Sequence, residues 1–138
     1  MTMVRITAGP YRFTARLEEE AAPRTCAAFR QALPFRGQLI QARWSGEADW
    51  IPLGDRQFGV GVENATSYPA PGELLLYPGG YSETEILVPY GPTRFASKLG
   101  QLAGNHFLTI VEGREQRREL GRLVLYEGAQ EIVFEALE

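Results

Sequence analysis

The chain has 138 residues, enough for one domain with its own core, and its 44% hydrophobic and 22% charged content is ordinary for a globular protein. Fourteen Lys and Arg against seventeen Asp and Glu leave a formal charge of −3, so there is no basic excess to drive binding to nucleic acid or to an anionic membrane. A lone cysteine, Cys26, excludes an internal disulfide framework and a multi-thiolate zinc site, and a lone histidine, His106, excludes a His-pair metal site. No metal and no cofactor is expected.

The opening residues MTMVRITAGPYRF lack the apolar stretch of a signal peptide, and no apolar run approaches the roughly twenty residues of a membrane span. A cytoplasmic protein without a membrane partner is expected, so the glycosylation-type triplet Asn64-Ala65-Thr66 carries no weight.

Val4 and Ile6, then Tyr11, Phe13, Ala15 and Leu17, alternate with polar or small residues, which predicts two half-buried strands turned at Gly9-Pro10. Glu18-Glu19-Glu20 reads as a solvated loop. A helix is predicted from Pro23, with Cys26, Phe29, Arg30 and Leu33 spaced three and four apart; proline suits the first turn, and Pro34 ends the run. Cys26 falls on the apolar face of that helix, as buried packing.

From Gln38 the period returns to two. Leu39, Ile40 to Trp44 and Asp49 to Leu53 read as strands, with Ser45-Gly46 as a tight turn. Residues 54 to 72, rich in Gly, Pro, Asn and Ser, predict a long irregular crossing with short strands at most. Glu73 to Tyr77 is an apolar strand closed by Pro78-Gly79-Gly80, and Glu85 to Val88 is another, stopping at Pro89. Asn105 to Val111 is a further strand. It leads into a helical stretch, REQRREL, ended by Gly121; Leu123 to Tyr126 and Ile132 to Phe134 then read as two strands parted by Gly128. About eight short strands and two helices, punctuated by turn residues, predict a mainly β single domain over residues 1–138, a closed barrel capped by two helices.

Ala22-Pro23-Arg24-Thr25 followed by Phe29 resembles the cyclophilin opening, where a strand runs into an AP-x-T-x-x-x-F helix. Phe107-Leu108-Thr109-Ile110-Val111-Glu112-Gly113 resembles the cyclophilin strand ending F-G-x-V-V-E-G that enters the second helix. Tyr77-Pro78-Gly79-Gly80 before an extended strand is similar to a shorter bacterial branch, small cyclophilin-like proteins classed as a domain of unknown function. The resemblance spans most of the chain and implies the cyclophilin-like closed barrel with two capping helices.

The resemblance also implies a place for a catalytic arginine. Ile40-Gln41-Ala42-Arg43-Trp44 puts Arg43 about where prolyl isomerases carry the arginine of an F-H-R motif. A guanidinium there can hydrogen-bond the prolyl nitrogen and weaken a bond whose rotation barrier is about 18–20 kcal/mol. The chain departs from the pattern at Gln41 and Ala42, which replace Phe and His. Trp50-Ile51-Pro52-Leu53-Gly54 stands in place of M-x-Q-G-G, and G-S-Q-F-F has no clear equivalent.

Arg43 and Trp44, adjacent in a predicted strand, point to opposite faces. Arg43 is a solvated strand arginine or, at a pocket mouth, a reader of anions or carbonyls through its five donors. His106 is a structural histidine at a strand start or a general base; no nucleophile-elbow signature accompanies it. Glu63 and Asn64, with Thr66, Ser67 and Tyr68, form one polar cluster. Tyr81, Ser82, Glu83, Thr84 and Glu85 form another, and the shared strand parity of Glu83 and Glu85 lets them receive a cation or a substrate amine from one face. Tyr77, Tyr81, Tyr90, Trp44 and Trp50 supply aromatic surface for a pocket or for the core. No glycine-rich phosphate loop occurs.

The leading expectation is a binder of a small molecule or metabolite in a pocket on the barrel, with Trp44, Glu63, Asn64, Tyr81 and Glu83 as ligand-binding candidates and Arg43 and His106 as catalytic ones. The alternatives are a prolyl isomerase or proline-peptide binder using Arg43, and a non-catalytic interaction module. A homo-oligomer is expected, with the tail EIVFEAL offering an edge strand for pairing.

Overall fold

In a computed structural model, which describes residues 2–137, the chain forms β1 (Met3–Ala8), β2 (Tyr11–Leu17), α1 (Pro23–Ala32), β3 (Phe35–Gln41), β4 (Gly46–Gly54), β5 (Ala65–Thr66) and β6 (Glu73–Tyr77). There follow β7 (Thr84–Thr93), β8 (Ala96–Ser97), β9 (Gly100–Gln101), β10 (Gly104–Glu112), a short 3-10 turn at Arg114–Gln116, α2 (Arg117–Glu127) and β11 (Gln130–Leu137). The large sheet runs β2-β1-β11-β3-β4-β7-β6-β10, and β10 pairs back onto β2, so eight strands close a barrel; β5 extends β10 along its edge. Every pairing in it is antiparallel. The mainly β closed barrel with two helices is therefore the observed fold.

Alternation builds the core. Val4, Ile6, Phe13, Ala15, Leu17, Leu39, Ile51, Ile86, Phe134 and their neighbours fill the barrel interior. Helix α1 covers one end. Phe29 from that helix packs its ring 5.0 Å from Phe107, 5.3 Å from Phe134 and 5.5 Å from Phe35. Cys26, buried on the same face, donates its thiol to the Phe107 carbonyl at 3.3 Å. Burial pushes that thiol up to about 12, consistent with packing rather than reactivity. Helix α2 closes the other end, where β3 finishes and β4 begins, and buries Leu120, Gly121 and Val124.

Leu74 to Tyr77 and Leu87 are buried without alternation because both faces of that wall are covered. Leu74, Leu76, Ile86 and Val88 face the interior, whereas Ala48, Leu75, Tyr77 and Leu87 face outward. There a flap, residues 94–103 including the β8–β9 hairpin, lays Phe95 and Leu102 over them to form a second, smaller core.

Four local expectations are corrected. The strand expected to stop at Pro89 continues to Thr93; Pro89 lies opposite Ala48 beside a register shift, where its missing N–H costs no ladder bond, and its carbonyl accepts from Gly72 at 3.0 Å. Gly121 does not end α2, and Leu123 to Tyr126 are helical rather than a strand. Glycine is required at 121 because a Cβ would lie 2.3 Å from the Tyr90 ring, and the helix ends instead at Gly128, with φ +95°. Arg43 and Trp44 are not in a strand. The Gln41 amide donates to the carbonyls of Ala42 and Ala48 at 3.1 Å and of Gly46 at 3.3 Å, bending residues 42–45 out of the sheet. The tail EIVFEAL is no free edge over residues 132–134, where β11 is paired with β1 on one side and β3 on the other; Glu135, Ala136 and Leu137 pair with β1 alone.

Candidate functional site

The outer wall of the barrel carries a cleft of about 300 Å³ between the β3–β4 side and the flap. It is lined by Ile40, Gln41, Ala42 and Trp50 together with Arg43, Trp44, Ser82, Glu83, Glu85, Ala96, Ser97 and Lys98. The flap is tied down at its start. Arg94 donates its amide to the Ser45 carbonyl at 3.0 Å, and Phe95 donates its amide to the Ser67 carbonyl at 2.8 Å. On the other flank the Tyr77 hydroxyl accepts the amides of Tyr81 and Ser82, each at 3.1 Å, and orders the turn that carries Glu83.

The cleft is electrically divided. Glu85 projects from the outer face of β7, between Pro52 on β4 and Tyr77 on β6, and is only 5% exposed. Burial, reinforced by the charge of Glu83, pushes its carboxyl up to about 8. Arg43 and Lys98 line the same cleft, and the Arg43 guanidinium lies 5.5 Å from the centre of the Trp44 ring. Among the described residues none of these four ionisable side chains has an ion-pair partner; the pairs join Arg16 with Glu18, Arg30 with Glu19, Arg36 with Glu131 and Arg118 with Glu47. Trp44 is half exposed at the rim, and Trp50 is packed against the second core.

Of the residues singled out from the sequence, Arg43, Trp44 and Glu83 come together in this cleft. Tyr81 stands beside it on the flanking turn, its hydroxyl donating to the Leu99 carbonyl of the flap at 2.7 Å. Glu63, Asn64 and His106 lie elsewhere, where the irregular crossing meets α1 and β10. Glu63 accepts from the Arg24 amide at 3.1 Å and from the amide and hydroxyl of Thr25 at 2.8 and 2.7 Å, so it serves as the missing cap of α1. Burial raises its carboxyl, but those hydrogen bonds prevail and hold it below the usual range. Asn64 takes a left-handed φ of 52° and donates its amide side chain to the His106 carbonyl at 2.8 Å.

The His106 ring has its own chain of contacts. Its Nε2 is 2.7 Å from the Thr109 hydroxyl, which donates to Glu18 at 2.6 Å. A hydroxyl whose proton points at Glu18 accepts from its other neighbour, which places the imidazole proton on Nε2. Trp50, Glu85 and Lys98 complete the cleft. Parity with Glu83 marked Glu85, whereas nothing in the local pattern around Lys98 pointed to it.

Among the described residues no group of three or more His, Cys, Asp or Glu is arranged to hold a metal ion, and no helix is long and apolar enough to cross a membrane. Residues 4–136 match a family described as a protein of unknown function, DUF3830. No curated protein matches the chain. Among solved structures, McbB in complex with tryptophan is similar with a TM-score of 0.72 at 19% identity, over 96% of this chain and 44% of that one. The chain thus spans less than half the length of the McbB chain. A hypothetical protein from Archaeoglobus fulgidus, AF2241, is similar with a TM-score of 0.61 at 18% identity, over 97% of this chain and 93% of that one.

Proposed function

This chain belongs to the DUF3830 family, which spans residues 4–136 on the barrel described above, and we propose that it binds a small molecule in the outer-wall cleft. The observation that carries the reading is the cleft itself. Two tryptophans and four ionisable side chains without ion-pair partners converge on about 300 Å³, a volume at the lower end of small-ligand sites. The apolar lining of Ile40, Ala42, Trp44 and Trp50 supplies the driving force and the ionisable groups supply orientation. The structural likeness to McbB, solved with tryptophan, supports a ligand of that size, although at 19% identity it shows the fold alone.

Prolyl isomerisation, the activity the cyclophilin resemblance implies, finds Arg43 on the cleft wall. The rest of the site differs. Arg43 stacks on Trp44, Gln41 folds back onto the backbone, and two glutamates line the cavity a proline ring would enter. The interaction-module reading loses part of its proposed edge, because β11 is paired on both sides over residues 132–134.

The test is thermal denaturation against a panel of small metabolites, with an Ala-Pro-Phe peptide included. A ligand that binds only the folded chain raises its melting temperature. Aromatic charged compounds are expected to do so in the parent and to lose the effect in Trp44→Ala. No shift across the panel, or shifts that Trp44→Ala leaves intact, would count against the cleft.

A further inference from the structure

The geometry points to Glu83 and Glu85 as an amine-binding subsite, and so to a small aromatic zwitterion as the ligand class of the cleft, its ammonium at this pair and its carboxylate at Arg43 and Lys98. This inference rests on the small-molecule reading above.

The register fixes the layout. On the outer face, Glu85 lies level with Pro52, Trp50 level with Ile40 and Leu87, and Ala48 level with Pro89 next to the loop bearing Arg43 and Trp44. From the level of Pro52 to that of Ala48 is four residues of strand, roughly 13 Å at about 3.3 Å per residue. An aryl ring over Trp50 with charged groups on either side fits that span.

The acidic end is built for a cation that the chain itself does not provide. Glu85 is 95% buried yet opens on the cleft, and among the described residues no side-chain or backbone donor meets its carboxyl. Around it, β6 presents Tyr77, whose hydroxyl is already engaged by Tyr81 and Ser82; β4 presents Pro52; and the turn presents Glu83. None of these is positive. Arg43 and Lys98 belong to the β3–β4 loop and the flap, and are left to meet an anion.

This arrangement has a signature that simple packing lacks. Near pH 7 Glu85, pushed up to about 8, holds its proton. An incoming ammonium favours the ionised carboxylate, so binding expels a proton to the buffer.

The test is titration calorimetry near neutral pH in phosphate and in Tris buffer, with tryptophan, tryptamine (no carboxylate) and indolepropionate (no amine). Tryptophan is expected to bind best, and indolepropionate about tenfold or more weakly, the usual cost of a lost charge-assisted hydrogen bond. The heat for tryptophan should differ between buffers by about one proton's ionisation. Glu85→Gln, neutral like the protonated acid it replaces, should fold normally, abolish the buffer dependence and erase the preference for the amine. Glu83→Gln should weaken that preference. If indolepropionate binds at the cleft as tightly as tryptophan, or Glu85→Gln changes neither readout, the amine subsite is overturned while the cleft stands. If none of the three compounds binds, the aromatic-zwitterion class is overturned, and the cleft itself falls only if the metabolite panel also gives no shift.

Discussion

Ser45 and Ala96 hold each other in both directions: the Ser45 hydroxyl donates to the Ala96 carbonyl at 3.0 Å and accepts from the Ala96 amide at 3.0 Å. This reciprocal pair joins the loop carrying Arg43 and Trp44 to the flap carrying Lys98, so one buried serine sets the width of the cleft. Ser45→Ala leaves both backbone groups of Ala96 without that partner. It should destabilise the protein by about 1–3 kcal/mol in urea denaturation. It should also weaken binding of any cleft ligand, because the two sides of the site no longer move as one. Unchanged affinity in the folded variant would show that the flap is not part of the site.

Asp49, at the α2 end of the barrel interior, has no exposed surface, and neither of its carboxylate oxygens has a hydrogen-bond partner among the described residues. Burial pushes it up to about 8, and Glu85 is raised to the same level by burial and by Glu83. In an unfolded chain both groups lose their protons near pH ~4. Between about pH 4 and pH 8 the folded state therefore binds more protons than the unfolded one, and stability falls as pH rises through that window. The slope is at most ~1.4 kcal/mol per pH unit for each group. Asp49→Asn keeps the shape and removes one of the two titrations. The parent's melting temperature should drop between about pH 5 and pH 8, and the variant's about half as much. A parent that gains stability over that range contradicts the burial of these acids.

Glu63 supplies a cap from a distant segment, since Ala22 at the N-terminus of α1 has no side chain with which to do so. Glu63→Ala should cost about 1 kcal/mol of stability, as losing a cap usually does. Binding in the cleft should be unaffected, which calorimetry on the folded variant would check. Loss of ligand binding with stability unchanged would place Glu63 back among the site residues.

Much of the barrel was legible in the sequence. Alternation marks β1 and β2, the apolar ELLLY run marks β6, and Pro23 with Phe29 marks α1. Reading failed where a contact distant in sequence overrides a local signal. Gly121 looks like a helix stop, but it is there to admit the Tyr90 ring. The β-rich stretch Leu123 to Tyr126 is helical because Leu120, Gly121 and Val124 bury one face against the end of the barrel. Gly121→Ala should therefore destabilise the protein by about 1–3 kcal/mol in urea denaturation, despite alanine's better helix propensity; a stabilised variant would mean that the ring is not held there. For the candidate cleft, the residues Arg43, Trp44, Glu83 and Glu85 that line it could be singled out in the sequence, because polar and aromatic residues beside turn signals stand out. The separation of Glu63, Asn64 and His106 from that group was not, since only the path of residues 54–72 decides which face they join. Lys98 and Ser97 sit in a flap whose strands are two residues long, too short for any period.

The chain has two tryptophans, and both line the cleft. Their two indole N–H signals in a nuclear magnetic resonance spectrum of isotope-labelled protein thus report on the site directly. On titration with tryptamine both signals should shift saturably, while the backbone amides of Asn64 and His106 stay in place. Stationary indole signals alongside movement at Asn64 and His106 would contradict the cleft as the ligand site.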